Sequence, residues 1–281
     1  MHVNYDHPVN WSHPLNQGRV VWYLNLPGWA GSRTQVDLCQ RFPAVANGGW
    51  TGGVGSPLGG LGIGFDGSND NLTVGNRAGL SVTGDLTIAA WIYPTASPSG
   101  THFGIFTKGP IGTEITYSLV LINVSRAPRL ARWNSGLGLA EVTSATSIAL
   151  NTWTRVGVTV VGTTATFYLN GKAGTTGTTR NPAAANTASL EVGGSSNGNN
   201  FWYTGSLDDV SLWNRGLSAS EMNDDYRLGL ARYRTSPSPL NFVRPSALGS
   251  VSGVGLSRAR LVNAGATGSL SRAAIVNAGG G

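Results

Sequence analysis

The stretch "TRVGVTVVGTTATFYLNGK", residues 154 to 172, restricts the fold more than any other part of the chain. Val156, Val158 and Val160 alternate with Arg155, Gly157 and Thr159, the period of two that buries one face of a strand and exposes the other. The following apolar run ends on Asn170-Gly171, the dipeptide best suited to the positive-φ positions of a type I′ turn, so the two runs read as a hairpin. Similar runs recur with turn residues between them: "VVWYLNL" (20 to 26), "LTIAAWIY" (86 to 93) and "YSLVLINV" (117 to 124). The 41 glycines weigh against long helices, and a single cysteine, Cys39, excludes an intrachain disulfide or a thiolate zinc cluster. An all-β fold stabilised by packing is the expectation.

Three zones follow from composition: an N-terminal arm (1–15), a strand-rich body (16–230) and a Ser/Gly/Arg-rich tail (231–281). The arm repeats His-Pro-Val-Asn as His-Pro-Leu-Asn at 7–10 and 13–16, and its prolines favour extended backbone. Its His2, His7 and His13 with Asp6 are read as solvated rather than as metal ligands. The last acid is Asp225 and seven arginines lie beyond it, so the net charge of +6 resides in the tail. Within the tail, Leu256 to Gly265 returns as Leu270 to Gly279, with Arg258 and Arg272 at equivalent places. Two copies are too few for a solenoid, so these segments, with Arg260, are expected to anchor the chain to a larger protein assembly such as a capsid, with the N-terminal arm as the alternative anchor. Nucleic acid is a poor fit, because few aromatics accompany the arginines. The N-terminus has neither the basic start nor the apolar stretch of a secretory signal, and no run of about 18 apolar residues suggests membrane insertion. One helix is signalled at "WNRGLSASEM": Ser218 and Glu221 have capping-box spacing, and Gly229 is the expected stop.

Taken in order, "FDGSNDNLTVG", "LSVTGDLTIAAWIYP", "GIFTKG", "YSLVL", "LNTWTRVGVTV", "TATFYLNGKAG" and "LEVGGSSNGNNFWYTGSLDDVSLWNRGLSASEM" resemble the laminin-G-like branch of the concanavalin A-like lectin/glucanase superfamily. The resemblance spans roughly residues 16 to 230. It implies an all-β, two-sheet antiparallel jelly-roll sandwich whose first strand pairs near its last, here closed by one short C-terminal helix and followed by an extended basic tail. In several relatives calcium sits near the loop that "FDGSNDNLTVG" would form, which points to Asp66 with Asp208 or Asp209 as a candidate calcium set. Asp66 as a turn-forming acceptor is the competing reading. On a regular strand Asp208 and Asp209 alternate faces, so one of them needs a partner inside.

The superfold includes glucanases, but the alternating cluster of carboxylates that retaining hydrolysis uses is absent, and Glu114, Glu141 and Glu191 are isolated in sequence. A non-enzymatic binding protein is the expectation. "SSNGNNFWY" (195 to 203) gathers Asn197, Asn199, Asn200, Trp202 and Tyr203, the amide and aromatic mixture of a glycan site. The competing reading buries its aromatics as the start of the next strand. A recognition module of extracellular type without an export signal suits a phage-like particle released by lysis, with the protein as decoration, fibre or tail component. The alternative is a free or cell-surface lectin-like module, and self-association is compatible with either.

Overall fold

A computed structural model describes residues 11–24, 34–35, 37–49, 52–58, 60–98, 102–110, 114–194 and 201–234, with backbone only for 229–234. In chain order the strands are β1 (Arg19–Tyr23), β2 (Thr34–Gln35), β3 (Ala44–Asn47), β4 (Gly52–Gly55), β5 (Leu61–Asp66), β6 (Asn71–Gly75), β7 (Leu86–Pro94) and β8 (His102–Lys108). They continue as β9 (Tyr117–Ile122), β10 (Pro128–Asn134), β11 (Gly138–Thr143), β12 (Thr154–Val161), β13 (Thr164–Leu169), β14 (Lys172–Thr178), β15 (Leu190–Val192) and β16 (Thr204–Trp213), and the chain then enters α1 (Ala219–Arg234).

The strands form two antiparallel sheets, as a jelly roll requires. One runs β14-β13-β12-β7-β16-β5-β4, with β1 also on β16; the other runs β11-β10-β9-β8-β15-β6-β3-β2. The β12–β13 hairpin has the register expected from alternation, Val158 opposite Phe167, with Asn170 and Gly171 both at positive φ. The first strand does pair with the last: Arg19 lies opposite Trp213 and Tyr23 opposite Val210. Val156, Val158 and Val160 of β12 join Ile88, Ile92, Phe106, Leu119 and Leu130 in the core between the sheets.

The outer face of the β12/β7/β16 sheet is covered by α1 and by the residues just before β1. Leu15, Ala89, Tyr168, Trp213, Leu217 and Met222 form a second apolar cluster there. A short 3-10 turn at Pro14–Asn16 is tied to this face by the Trp213 indole N–H on the Leu15 carbonyl (2.7 Å) and by Arg215 on the Pro14 and Gln17 carbonyls. Residues 11–15, expected in a separate arm, therefore pack with the body. His13 is part of this turn, its Nδ1 accepting from the Leu15 N–H.

The capping box forms as the spacing predicts: the Ser218 N–H donates to Glu221 and the Glu221 N–H to the Ser218 hydroxyl. The expected stop does not. The helix runs through Gly229 to Arg234, past the boundary expected after residue 230, because one glycine costs an established helix only about 1 kcal/mol. Close approach is what glycine supplies beneath it: a Cβ on Gly157 would stand 2.3 Å from the Met222 methyl, so the thioether lies directly on the β12 backbone. No helix among the described residues is long and apolar enough to cross a membrane.

Candidate ligand-binding site

Asp66, Asp208 and Asp209 do not converge. In the β5–β16 register Asp66 faces Thr204, so Asp208 lies four residues along the partner strand, about 13 Å away. Both aspartates of β16 also have other work. A bulge between Asp208 and Ser211 interrupts the pairing with β7, and Asp209 takes φ 47°, so strict alternation fails and both side chains are buried. Asp208 accepts from the Ser56 hydroxyl and from the Asp209 N–H. Asp209 accepts from the Trp22 indole N–H at 2.5 Å and lies 3.4 Å from an Arg155 terminal nitrogen.

Arg155 is the centre of a buried charge cluster. Its Nε donates to Asp225 of α1 at 2.9 Å, its Nη2 is 2.8 Å from the same oxygen, and its Nη1 donates to the Asp209 carbonyl at 2.7 Å. Burial alone would lower the Arg155 pKa, but Asp209 and Asp225 outweigh it and hold the guanidinium more firmly protonated than usual. Of the candidate calcium set, Asp209 is thus part of the lock between β16, β12 and α1, and the three aspartates do not fit a shared cation. No group of three or more His, Cys, Asp or Glu among the described residues is arranged to hold a metal.

In the turn between β5 and β6, Asp66 accepts from the Ser68 N–H at 2.8 Å and the Asn69 N–H at 3.4 Å. It behaves as the Asx-type turn acceptor that was the competing reading. Its neighbour Asp70 is the buried one. Asp70 Oδ2 accepts from the Asp66 N–H, Oδ1 has no hydrogen-bond donor, and burial raises the carboxyl pKa.

Asn197, Asn199 and Asn200 lie outside the described residues. The two aromatics of that segment separate. Tyr203 is fully buried, edge-on to Phe65 (6.1 Å) and near Phe103 (5.5 Å), so it belongs to the core and is no sugar platform. The Tyr203 N–H donates to the Gly193 carbonyl, which ties this segment to the end of β15, and in extended backbone the adjacent side chains point to opposite faces. Trp202 takes the other side and stays half-exposed. A Cβ on Gly194 would lie 2.6 Å from the Trp202 ring and 3.1 Å from Asn71 Cβ, so indole and Asn71 flank one backbone spot.

Around that spot the outer face of the β6/β15/β8 sheet is polar. Asn47 Nδ2 donates to Asn71 Oδ1 and Thr73 Oγ1, both at 2.8 Å, a bond pattern that uses neither Asn71 Nδ2 nor Asn47 Oδ1. A row of partners continues across the sheet: Thr73 opposite Glu191, Glu191 opposite Thr107, Thr107 opposite Ser118, Ser118 opposite Ala131, Ala131 opposite Glu141. The sequence shows these residues as ordinary strand positions. Only their shared parity on six strands, set by register, puts them on one face, where Glu191, Thr107 and Ser118 are buried and Thr73 and Glu141 remain accessible.

This face holds two glutamates, Glu191 and Glu141, four strands apart. At the spacing of paired strands that is about 19 Å, well beyond the roughly 5–9.5 Å that separates glycosidase carboxylates. Glu141 is moreover paired with Arg129 at 3.2 Å. The single thiol is no better placed for chemistry: burial first, and then the nearby Asp37 carboxylate, push the Cys39 pKa up to about 12. Modification of Cys39 by a maleimide at pH 8 is expected to be at least about a hundredfold slower than in the urea-unfolded chain, since the thiolate is on the order of a thousandfold scarcer. Equal rates would contradict the burial of the thiol.

Two sheets, a closing strand paired with the first, and a capped helix across one face are the architecture on which the family comparison bears. The family model described as concanavalin A-like lectin/glucanases superfamily matches residues 66–223, more than half of the chain. The chain belongs to this superfamily. No curated protein sequence matches it significantly. Among solved structures it is similar to the binding domain of Paraclostridial Mosquitocidal Protein 1, with TM-score 0.59 and 15% identity over 75% of this chain and 52% of that one. Domain 4 of AbnA, an extracellular arabinanase from Geobacillus stearothermophilus solved with arabinotriose, gives TM-score 0.55 and 15% identity over 73% of this chain and 97% of that domain. A sialidase from Trypanosoma rangeli gives 0.53 and 16% over 74% of this chain and 32% of that one. The chain spans about half the length of the toxin binding domain it matches, and at such identities the likeness is one of fold.

Proposed function

We propose that this protein is a non-catalytic, carbohydrate-binding jelly roll whose saccharide site is the Trp202 end of the polar β6/β15/β8 face. One observation carries the reading: a partly exposed indole packed beside the buried Asn71, with the exposed Asn47 and the partly exposed Thr73 supplying an amide and a hydroxyl next to it. A pyranose ring stacks its C–H face on such an indole while amides meet its hydroxyls. The segment 195–200, with Asn197, Asn199 and Asn200, joins the same stretch of chain. Among the similar folds, the arabinanase domain was solved with a trisaccharide.

Absence of hydrolysis rests on the wide separation of Glu141 and Glu191. The finer reading, a component of a phage-like particle attached through residues 231–281 or, alternatively, the N-terminal arm, is supported for the tail by the confinement of excess positive charge and of the repeated ten-residue unit to it. Arg258, Arg260 and Arg272, the proposed anchoring groups, lie outside the described residues. Calcium has no support from the Asp66, Asp208 and Asp209 set.

Screening the full chain against a glycan array and then titrating the strongest binder tests the site. Trp202→Ala is expected to weaken binding at least tenfold, and Asn47→Ala severalfold, with little change in melting temperature for Trp202→Ala. Binding unaltered by Trp202→Ala would move the site elsewhere, and polysaccharide turnover abolished by one Glu or Asp substitution would overturn the non-catalytic reading.

A further inference from the structure

On the far side of the body, where β1 meets the N-terminal turn, lies a cleft of about 480 Å³ lined by Trp11, Asn16, Arg19, Cys39, Arg41 and Asn214 among others. Its volume is in the range of small-ligand sites. Three features distinguish it from a packing defect. First, Trp11 is 48% exposed, one of the largest apolar side chains left in solvent, beside a body that buries Trp22, Trp91 and Trp213. Second, Arg41 is exposed and forms no ion pair among the described residues, because the nearest carboxylate, Asp37, is already committed to four backbone N–H groups, those of Trp22, Cys39, Arg41 and Phe42.

Third, Arg19 is only 8% exposed, yet its Nε and Nη1 have no hydrogen-bond partner. Its guanidinium is held between the Trp22 and Trp213 rings, 4.0 and 4.4 Å from their centroids; the carboxylates of Asp209 and Asp225 both act on its charge, and the contact with Asp225 is a long 3.8 Å. Asp225 gives its shorter contacts to Arg155. A buried guanidinium with unmet donors is costly unless something supplies acceptors. Burial lowers the Arg19 pKa to about 10, which still leaves it cationic at neutral pH.

We infer that this cleft is a second binding site, taking an acidic saccharide whose ring stacks on Trp11 and whose anionic group meets the exposed Arg41, with the buried Arg19 guanidinium adding positive charge behind it. The lining residues carry two guanidiniums and no carboxylate, so the local charge selects an anion, and guanidinium forks match carboxylate and sulfate alike. Asn16 and Asn214 supply the amides that pair with hydroxyls, and the single indole offers one stacking face. The site shares no residue with the Trp202 face and does not depend on it.

The experiment is calorimetric titration of the full chain with oligogalacturonate, which carries carboxylates, with a sulfated glucan oligosaccharide, and with neutral maltohexaose as control. At least one acidic ligand is expected to bind more than tenfold tighter than maltohexaose, to weaken as salt rises from 50 to 300 mM, and to lose tenfold or more in affinity on Arg41→Ala and on Trp11→Ala. Which acidic ligand responds assigns the anion as carboxylate or sulfate. Both replaced residues are exposed, so melting temperatures should hold, and Trp202→Ala should leave this binding intact. Failure of both acidic ligands to bind, binding indifferent to Arg41→Ala and Trp11→Ala, or tighter binding of AMP than of either saccharide would each overturn the assignment.

Discussion

Replacing Arg155 with methionine is expected to lower the unfolding free energy by about 3–5 kcal/mol, because it removes one partner from a buried ionic cluster and leaves the other charges in place. Asp209 and Asp225 are both nearly inaccessible, and Arg155 contacts both. Without it, only Arg19 remains near them, at 3.8 Å from Asp225. A chain of this size loses about 2–4 °C of melting temperature per kcal/mol, so a fall of roughly 6–20 °C should be seen. Methionine keeps much of the volume, which separates loss of charge from creation of a cavity. The companion replacement Asp225→Leu in the same chain should recover part of the loss, since an unpaired buried carboxylate is then gone. A loss below about 1 kcal/mol in urea unfolding would show that the cluster is hydrated or dispensable.

Two truncations should behave as opposites. A chain ending at residue 237 is expected to melt like the full protein, whereas one ending at residue 217 should lose more than about 5 kcal/mol and with it cooperative unfolding. The second cut removes Met222, which rests on Gly157, removes Tyr226, whose ring lies 5.7 Å from Trp91, and removes Asp225 from both arginines. Burial of a methionine alone stabilises by about 1.5–3 kcal/mol, and the unpaired guanidiniums add to that loss. Calorimetry on both chains is the measurement. An unfolded chain at 237 would place the tail in the core; a cooperative chain at 217 would make α1 an ornament. The same 237 chain also tests attachment: if it still enters a larger assembly, the anchor is not in residues 238–281.

The divide between what was legible in the chain and what was not follows the range of the forces involved. Alternation in 154–161, the Asn170-Gly171 turn and the Ser218/Glu221 capping box act between residues a few positions apart, and each is present as expected. The order of motifs from Phe65 to Met222 was likewise enough to anticipate two antiparallel sheets with the first strand on the last. The sites were a different matter. Asp208 and Asp209 read as a pair of alternating carboxylates, but a bulge at a positive φ buried both, and Arg155, 54 positions from Asp209, took the charge. Trp202 and Tyr203 are neighbours of similar chemistry, yet only the packing of Tyr203 on Phe65 and Phe103 shows which of the two enters the core and which stays partly exposed. Likewise Trp11, Arg19, Arg41 and Asn214 share nothing in sequence that marks them as one cleft. Propensity and periodicity determine which segments become strands; register, bulges and the pairing of buried charges, all set by residues distant in the chain, determine which side chains meet.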